Sequence, residues 1–243
     1  MADLLYTELL KLKRSKMFLV SILGSAAVPF MCFIGFLNKR GKSPDVPIQF
    51  SEVFSETNMY IVLLIGVLLY GVIASYLFNR EYIENTLKSL LTIPVSKVSF
   101  MLSKFIMLLI WIMTLTIVSW GLTLMLGLVG DFEGLNSTVL AESLKQFVIG
   151  GGLLFLVVTP AIFITLVSKN YVPGIVFNTV ITMVNVMMIT SEYRALYPWA
   201  GVWVIVNNMV VPEYPVEYTY ISIFTTFIIG FIATMIYFRK EDI

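Results

Sequence analysis

The chain has 243 residues, of which 58% are hydrophobic and 13% charged, with a net charge of +1 and a mean hydropathy of +0.91. A soluble domain usually carries about 25% charged residues, so this chain has too little polar surface to keep a globule of its size in water, and lipid must be the solvent for much of it. The absence of histidine removes imidazole metal sites, catalytic triads and imidazole proton relays, the balanced charge gives no reason to expect nucleic acid, and the single Cys32 can form no internal disulfide.

Residues 1–16 read as a basic amphipathic helix on the inner leaflet. Leu5, Leu9 and Leu12 recur at i, i+4 and i+7, with Glu8, Lys11, Arg14 and Ser15 elsewhere around the helix. A plain cluster of topogenic charge is the alternative. Six apolar stretches free of Asp, Glu, Lys and Arg follow, at residues 17–37, 59–78, 105–129, 147–167, 171–190 and 218–238. Each meets the ~20 residues a helix needs to cross a ~30 Å hydrocarbon core. The expected fold is therefore an all-α integral membrane protein with six transmembrane helices and no second domain. The first stretch reads as an uncleaved span, because it is longer than a signal-peptide core and no small-x-small site closes it.

With the amino terminus inside, eleven basic residues fall on the inner side and five on the outer side, which places both termini in the cytoplasm. The Lys39-Arg40-x-Lys42 cluster in the first outer loop runs against that bias. Pro29 and Thr159-Pro160 are expected to kink the first and fourth spans.

The cytoplasmic segment 79–104 is the most polar part of the chain. Leu87, Leu90 and Leu91 stand at i, i+3 and i+4, Pro94 stops the helix they form, and Ser96 is placed to N-cap the third span. Three leucines on one side of a short surface helix either rest on headgroups or fill a partner's groove. On the outer side, segment 191–217 combines Tyr193, Tyr197, Trp199, Trp203 and Tyr214 with an apolar run too short to cross. That composition predicts a re-entrant or interfacial helix pair.

Catalytic and coupling motifs are missing. There is no phosphate-binding Gly-x-x-x-x-Gly-Lys-[Ser/Thr] and no Gly-x-Ser-x-Gly elbow, and Gly150-Gly151-Gly152 reads as a site of close helix packing. No ionisable pair lies within a span, so energy for any transport cycle is expected to come from another polypeptide. Uncharged polar residues do line up within the spans. Asn178, Thr182 and Asn185 share one face of the fifth, Thr116, Ser119 and Thr123 one face of the third, and Gly71 and Ser75 make a small-x-x-x-small pair beside Tyr70 in the second. Interhelical hydrogen bonding is one reading; a seam lining a substrate path or a dimer contact is the other.

With these residues in view, the chain resembles the type-2 ABC exporter permeases over its whole length, and most of all the branch of bacitracin-transport and lantibiotic-immunity permeases. The resemblance is carried by Glu8-Leu9-x-Lys11-x-Lys13-Arg14-Ser15, by Glu81-x-x-Glu84-Asn85-Thr86-Leu87-Lys88-x-Leu90-Leu91-x-x-Pro94-Val95-Ser96-Lys97, and more weakly by Tyr237-Phe238-Arg239-Lys240-x-Asp242. Relatives usually have Gly where Asn85 stands and often Arg where Lys97 stands; Asn is the next most tolerant of left-handed backbone.

The resemblance implies a single permease domain in a bacterial cell membrane. Its coupling helix would dock in a separate ATP-binding subunit through Glu81, Glu84, Thr86, Leu87, Lys88, Leu90 and Leu91, with Lys169 in the turn 168–170 touching the same partner. It implies a second permease copy, identical or related. ATP and magnesium would sit in the partner, with no cofactor in this chain. The implied function is export of an amphipathic peptide antibiotic, bacitracin-like or lantibiotic, out of the membrane. Asn178, Thr182 and Asn185 are candidates for the path or dimer seam, and Trp199 and Trp203 for its outer gate. Two other functions fit the composition: a membrane sensor or scaffold, and an enzyme acting on isoprenoid-pyrophosphate lipids. The latter needs clustered acids and arginines near the membrane face, which the sequence does not offer.

Overall fold

A computed structural model describes residues 2–13, 15–84, 96–209 and 211–241. Among these, eight helices dominate: α1 (Ala2–Lys13), α2 (Lys16–Lys42), α3 (Phe50–Ile83), α4 (Lys97–Val129), α5 (Ser137–Ser168), α6 (Tyr171–Met188), α7 (Pro198–Val206) and α8 (Val216–Lys240). Six of them, α2 to α6 and α8, are long and apolar enough to cross a membrane. The expected all-helical architecture with six spans is therefore what the chain adopts. The segment 85–95, which holds Thr86, Leu87, Lys88, Leu90, Leu91 and Pro94, lies outside the described residues.

Polar side chains mark most helix starts. Ser15 Oγ accepts from Met17 N at 3.1 Å, Asn136 Oδ1 from Val139 N at 2.8 Å, and Asn170 Oδ1 from Val172 N at 2.9 Å. Ser96, the N-cap expected from sequence, accepts from Ser99 N at 3.1 Å. Several helices overrun the apolar stretches. The helix carrying the second span begins at Phe50 because Phe50, Val53 and Phe54 bury one face while Glu52 and Glu56 sit elsewhere around it. α5 is interrupted at Val158, just before Pro160, as a proline without an amide hydrogen demands. α2 runs unbroken through Pro29, so the first span has no comparable break. Neither proline motif announces the wide turn at Ile61–Ile65 in α3, where Gly66 N–H donates to the carbonyl of Ile61, five residues back.

The basic cluster that opposes the charge bias is neutralised locally. Lys39 pairs with Glu52, and Arg40 donates at 2.8 Å to the carbonyl of Gly130 at the carboxyl end of α4, where the helix dipole favours a cation. α2 packs chiefly on α4, α3 on α6, the second half of α5 on α8, and α7 on α5 and α8. Two apolar clusters result. The larger one runs through the bundle around Tyr70, Ile73, Leu108, Trp111 and Ile162. The smaller one sits at the α2–α3 and α4–α5 connections, where Phe50, Phe54, Phe132 and Phe147 pack with Val28 and the buried Cys32. In it Phe54 stacks on Trp120 at 6.1 Å and meets Phe147 edge-on at 6.3 Å.

Candidate functional site

At the end of the bundle where α3 runs out and α4 begins, four charges converge. Lys104 of α4 is 1% exposed, and its ammonium lies 2.5 Å from Glu81 Oε2 and 3.7 Å from Glu8 Oε2. Its remaining valence is used by the carbonyl of Leu77 at 2.8 Å and by the ring of Phe100, whose centroid is 5.2 Å away. Lys11 of α1 closes the network at 2.7 Å from Glu8 and 3.0 Å from Glu81. Burial pulls the Lys11 ammonium down, but the Glu81 and Glu8 carboxylates more than offset it and hold its pKa above the ordinary lysine value. Two acids and two bases thus cancel, which makes their burial tolerable. Asn79, one turn before this cluster, is fully buried with neither amide atom partnered among the described residues.

The cluster rewrites the amphipathic reading of α1. The inward face holds Leu12, Glu8 and, in part, Leu5 and Lys11, while Leu9 is 46% exposed. Glu8 was assigned to the polar side of the helix, yet its carboxylate reaches inward because two cations wait for it. Glu81, expected at a partner surface, likewise points its carboxylate into the cluster. Glu84, by contrast, is exposed and held by Arg80 at 2.8 Å.

A second knot lies at the same end. Glu241, just after α8, pairs with Lys169 at 2.7 Å and accepts from the Tyr82 hydroxyl, and its main-chain carbonyl accepts from Lys97 Nζ at 2.6 Å. Both flanks of segment 85–95 are therefore tied to the α5–α6 turn. Lys169 itself adopts left-handed geometry (φ 50°) to end α5, and hydrogen bonding and charge from Glu241 raise its pKa.

The polar residues within the spans are packed inside the protomer. Asn178, Thr182 and Asn185 are all buried; Asn178 Nδ2 donates to Gly174 O and Thr182 to Asn178 O, both one turn back in their own helix. Asn185 Nδ2 crosses to α3 and donates to Leu63 O at 3.0 Å, inside the wide turn. Gly71 of α3 leaves the room Asn178 fills, since a Cβ there would lie 2.2 Å from Asn178 Cγ. In α4, Thr116 meets the Tyr70 hydroxyl at 3.0 Å and Ser119 donates to Ser25 O of α2 at 3.0 Å. Gly151 accommodates Thr116, which fits the packing reading of the glycine triplet. Trp199 and Trp203 of α7 are also buried, Trp199 edge-on to Phe177 of α6 at 6.0 Å and Trp203 beneath the Arg194 guanidinium at 5.9 Å.

Sequence reasoning missed Glu8, Lys11, Lys104, Tyr82 and Glu241 as parts of one site. A signal was present for Lys104: it stands at i+4 from Phe100, and Leu108 and Trp111 continue the same buried face. A cation on that face needs acids from other helices. Nothing in the local pattern says which acids.

The comparisons agree with this architecture. Residues 4–185 match the model of the ABC-2 family transporter proteins. The chain is also 61% identical, over 205 residues, to the bacitracin transport permease protein BCRB of Bacillus licheniformis, covering 84% of this chain and 99% of that protein. Family and fold together make this a multi-pass cell-membrane protein and a transport subunit rather than an enzyme, of a kind that works with an ATP-binding subunit. The chain belongs to the ABC-2 transporter family of membrane permeases.

Proposed function

We propose that this chain is the permease of an ATP-driven exporter that removes an amphipathic peptide antibiotic, bacitracin-like or lantibiotic, from the membrane. The observation that carries this reading is the 61% identity to a bacitracin transport permease across nearly all of that protein's length. Both termini are cytoplasmic in this reading, α1 lies on the inner leaflet, and the segment from Glu192 to Val206 caps the outer end. ATP and magnesium bind a separate subunit. That subunit contacts segment 85–95 through Thr86, Leu87, Lys88, Leu90 and Leu91, with Glu84 and Lys169 at the rim. Exposed Glu84 and the 54% exposed Lys169 side chain support that rim. Glu81 acts indirectly, by fixing the ends of α3 and α4 that carry the loop. A second permease copy, identical or related, completes the pathway, and Asn178, Thr182, Asn185, Trp199 and Trp203 border the surfaces that move.

The test is affinity purification in mild detergent from native cells, with wild type beside a Leu87→Asp, Leu91→Asp double variant, and bacitracin tolerance scored in the same strains. An ATP-binding protein should accompany the wild type alone, and tolerance should fall in the variant. If no ATPase accompanies either form, the exporter reading fails and a sensor or scaffold role takes its place.

A further inference from the structure

The interior seam is already filled by its own side chains, so an amphipathic molecule needs another foothold. A concavity of about 480 Å³ opens at the end of the bundle opposite the ion cluster, walled by α5, α7 and α8. Its rim is polar, with Glu142, Lys145 and Gln146 from α5 and Asn208 from the turn after α7. Its floor is apolar, with Ile149 and Leu153 lower on α5, Ile205 on α7 and the ring of Tyr220 on α8. Glu142, Gln146, Ile149 and Leu153 stand at i, i+4, i+7 and i+11, so one face of α5 passes from charged to apolar within three turns. The change falls at the start of the fourth apolar stretch, which sets the rim at headgroup depth and the floor among acyl chains. Asn208 is exposed and takes left-handed geometry (φ 51°) at the turn that ends α7, beside the rim.

We infer that this concavity is the site where the exporter engages its peptide from the outer leaflet. The inference rests on the substrate class proposed above. Ligand pockets are commonly about 300–1,000 Å³, so the space takes part of a peptide, one polar end and a few large apolar side chains. Opposite charges on Glu142 and Lys145, with the Gln146 and Asn208 amides between them, suit a peptide end bearing both signs or several amides. The floor takes the apolar side chains, and burying them supplies the affinity. A site shaped this way selects for amphipathicity rather than for one sequence.

The experiment uses the full chain in nanodiscs, with fluorescently labelled bacitracin as probe and bacitracin tolerance of cells carrying the exporter as the second readout. Leu153→Trp fills the floor, Lys145→Glu inverts the rim charge, and Ile229→Trp, on the 65% exposed surface of α8 away from the concavity, is the control. Leu153→Trp and Lys145→Glu should each weaken probe binding by about tenfold and lower tolerance, with the ATPase still co-purifying and Ile229→Trp unchanged. If wild type binds and protects but both variants match it, the peptide site lies elsewhere and the exporter reading survives. Phospholipid retained by wild type and stripped by the variants, with peptide binding unchanged, assigns the concavity to lipid and overturns the inference. If wild type neither binds the probe nor protects, the substrate class and this site fall together.

Discussion

The molecule handles polarity in two ways, and the contrast lies between the ion cluster and the interior seam. At the α3–α4 end, Glu8, Lys11, Glu81 and Lys104 are joined across three helices, and no member has a partner within its own helix except Lys11 with Glu8. In the seam, Thr116, Thr123, Asn178 and Thr182 each donate to a carbonyl one turn back in their own helix. The first arrangement binds helices to one another. The second satisfies each side chain locally and leaves neighbouring helices free to slide with little loss of hydrogen bonding. A permease whose drive arrives from a partner needs a rigid handle and a compliant middle, and the charges are spent on the handle.

This contrast can be broken or sharpened in order of expected effect. Lys104→Met leaves Glu8 and Glu81 sharing only Lys11, and unfolding in mixed micelles should show a loss of about 3–5 kcal/mol. A loss below 1 kcal/mol would mean that water reaches the cluster. Gly71→Ala drives a methyl into Asn178 and should cost about 1–3 kcal/mol. Because Asn178 donates only within its own helix, adding Asn178→Ala should restore most of that stability. Glu241→Gln removes the charge that holds a largely exposed Lys169, so less than about 1 kcal/mol is expected. The sharper readout there is ATPase co-purification, which should weaken if the knot positions the loop. Thr182→Val should be smallest, about 0.6 kcal/mol or less, measured the same way.

Much of this was legible in the sequence, for identifiable reasons. The six spans are runs without charge, and in lipid that signal is nearly sufficient. Ser96 and Pro160 act on the backbone within a turn of themselves, so their effects could be read in place. The ion cluster could not, because Glu8, Glu81 and Lys104 are brought together only by tertiary packing. The leucine stripe of α1 suggested Leu9 as an inward residue, but two cations at the bundle end turn the Glu8 face inward instead. The seam was read as a set of shared faces, which it is. Its partners, such as Leu63 O for Asn185, depend on a wide turn that Ile61-Val62-Leu63-Leu64-Ile65 gives no local hint of.

That wide turn bears on which changes in chain length the family can accept. Gly66 follows it, and a Cβ there would lie 2.4 Å from the Ile61 carbonyl, so a side chain is excluded at the position that closes the turn. Loops absorb single-residue insertions and deletions readily. Removing one residue from 61–65 would instead let α3 regain ordinary periodicity by rotating Phe50–Tyr60 about 100° against the rest of the helix. Phe54 would swing off Trp120, and Asn185 would lose the Leu63 carbonyl. Gaps in related sequences should therefore avoid this stretch, although it is an uninterrupted apolar run in which any residue looks dispensable.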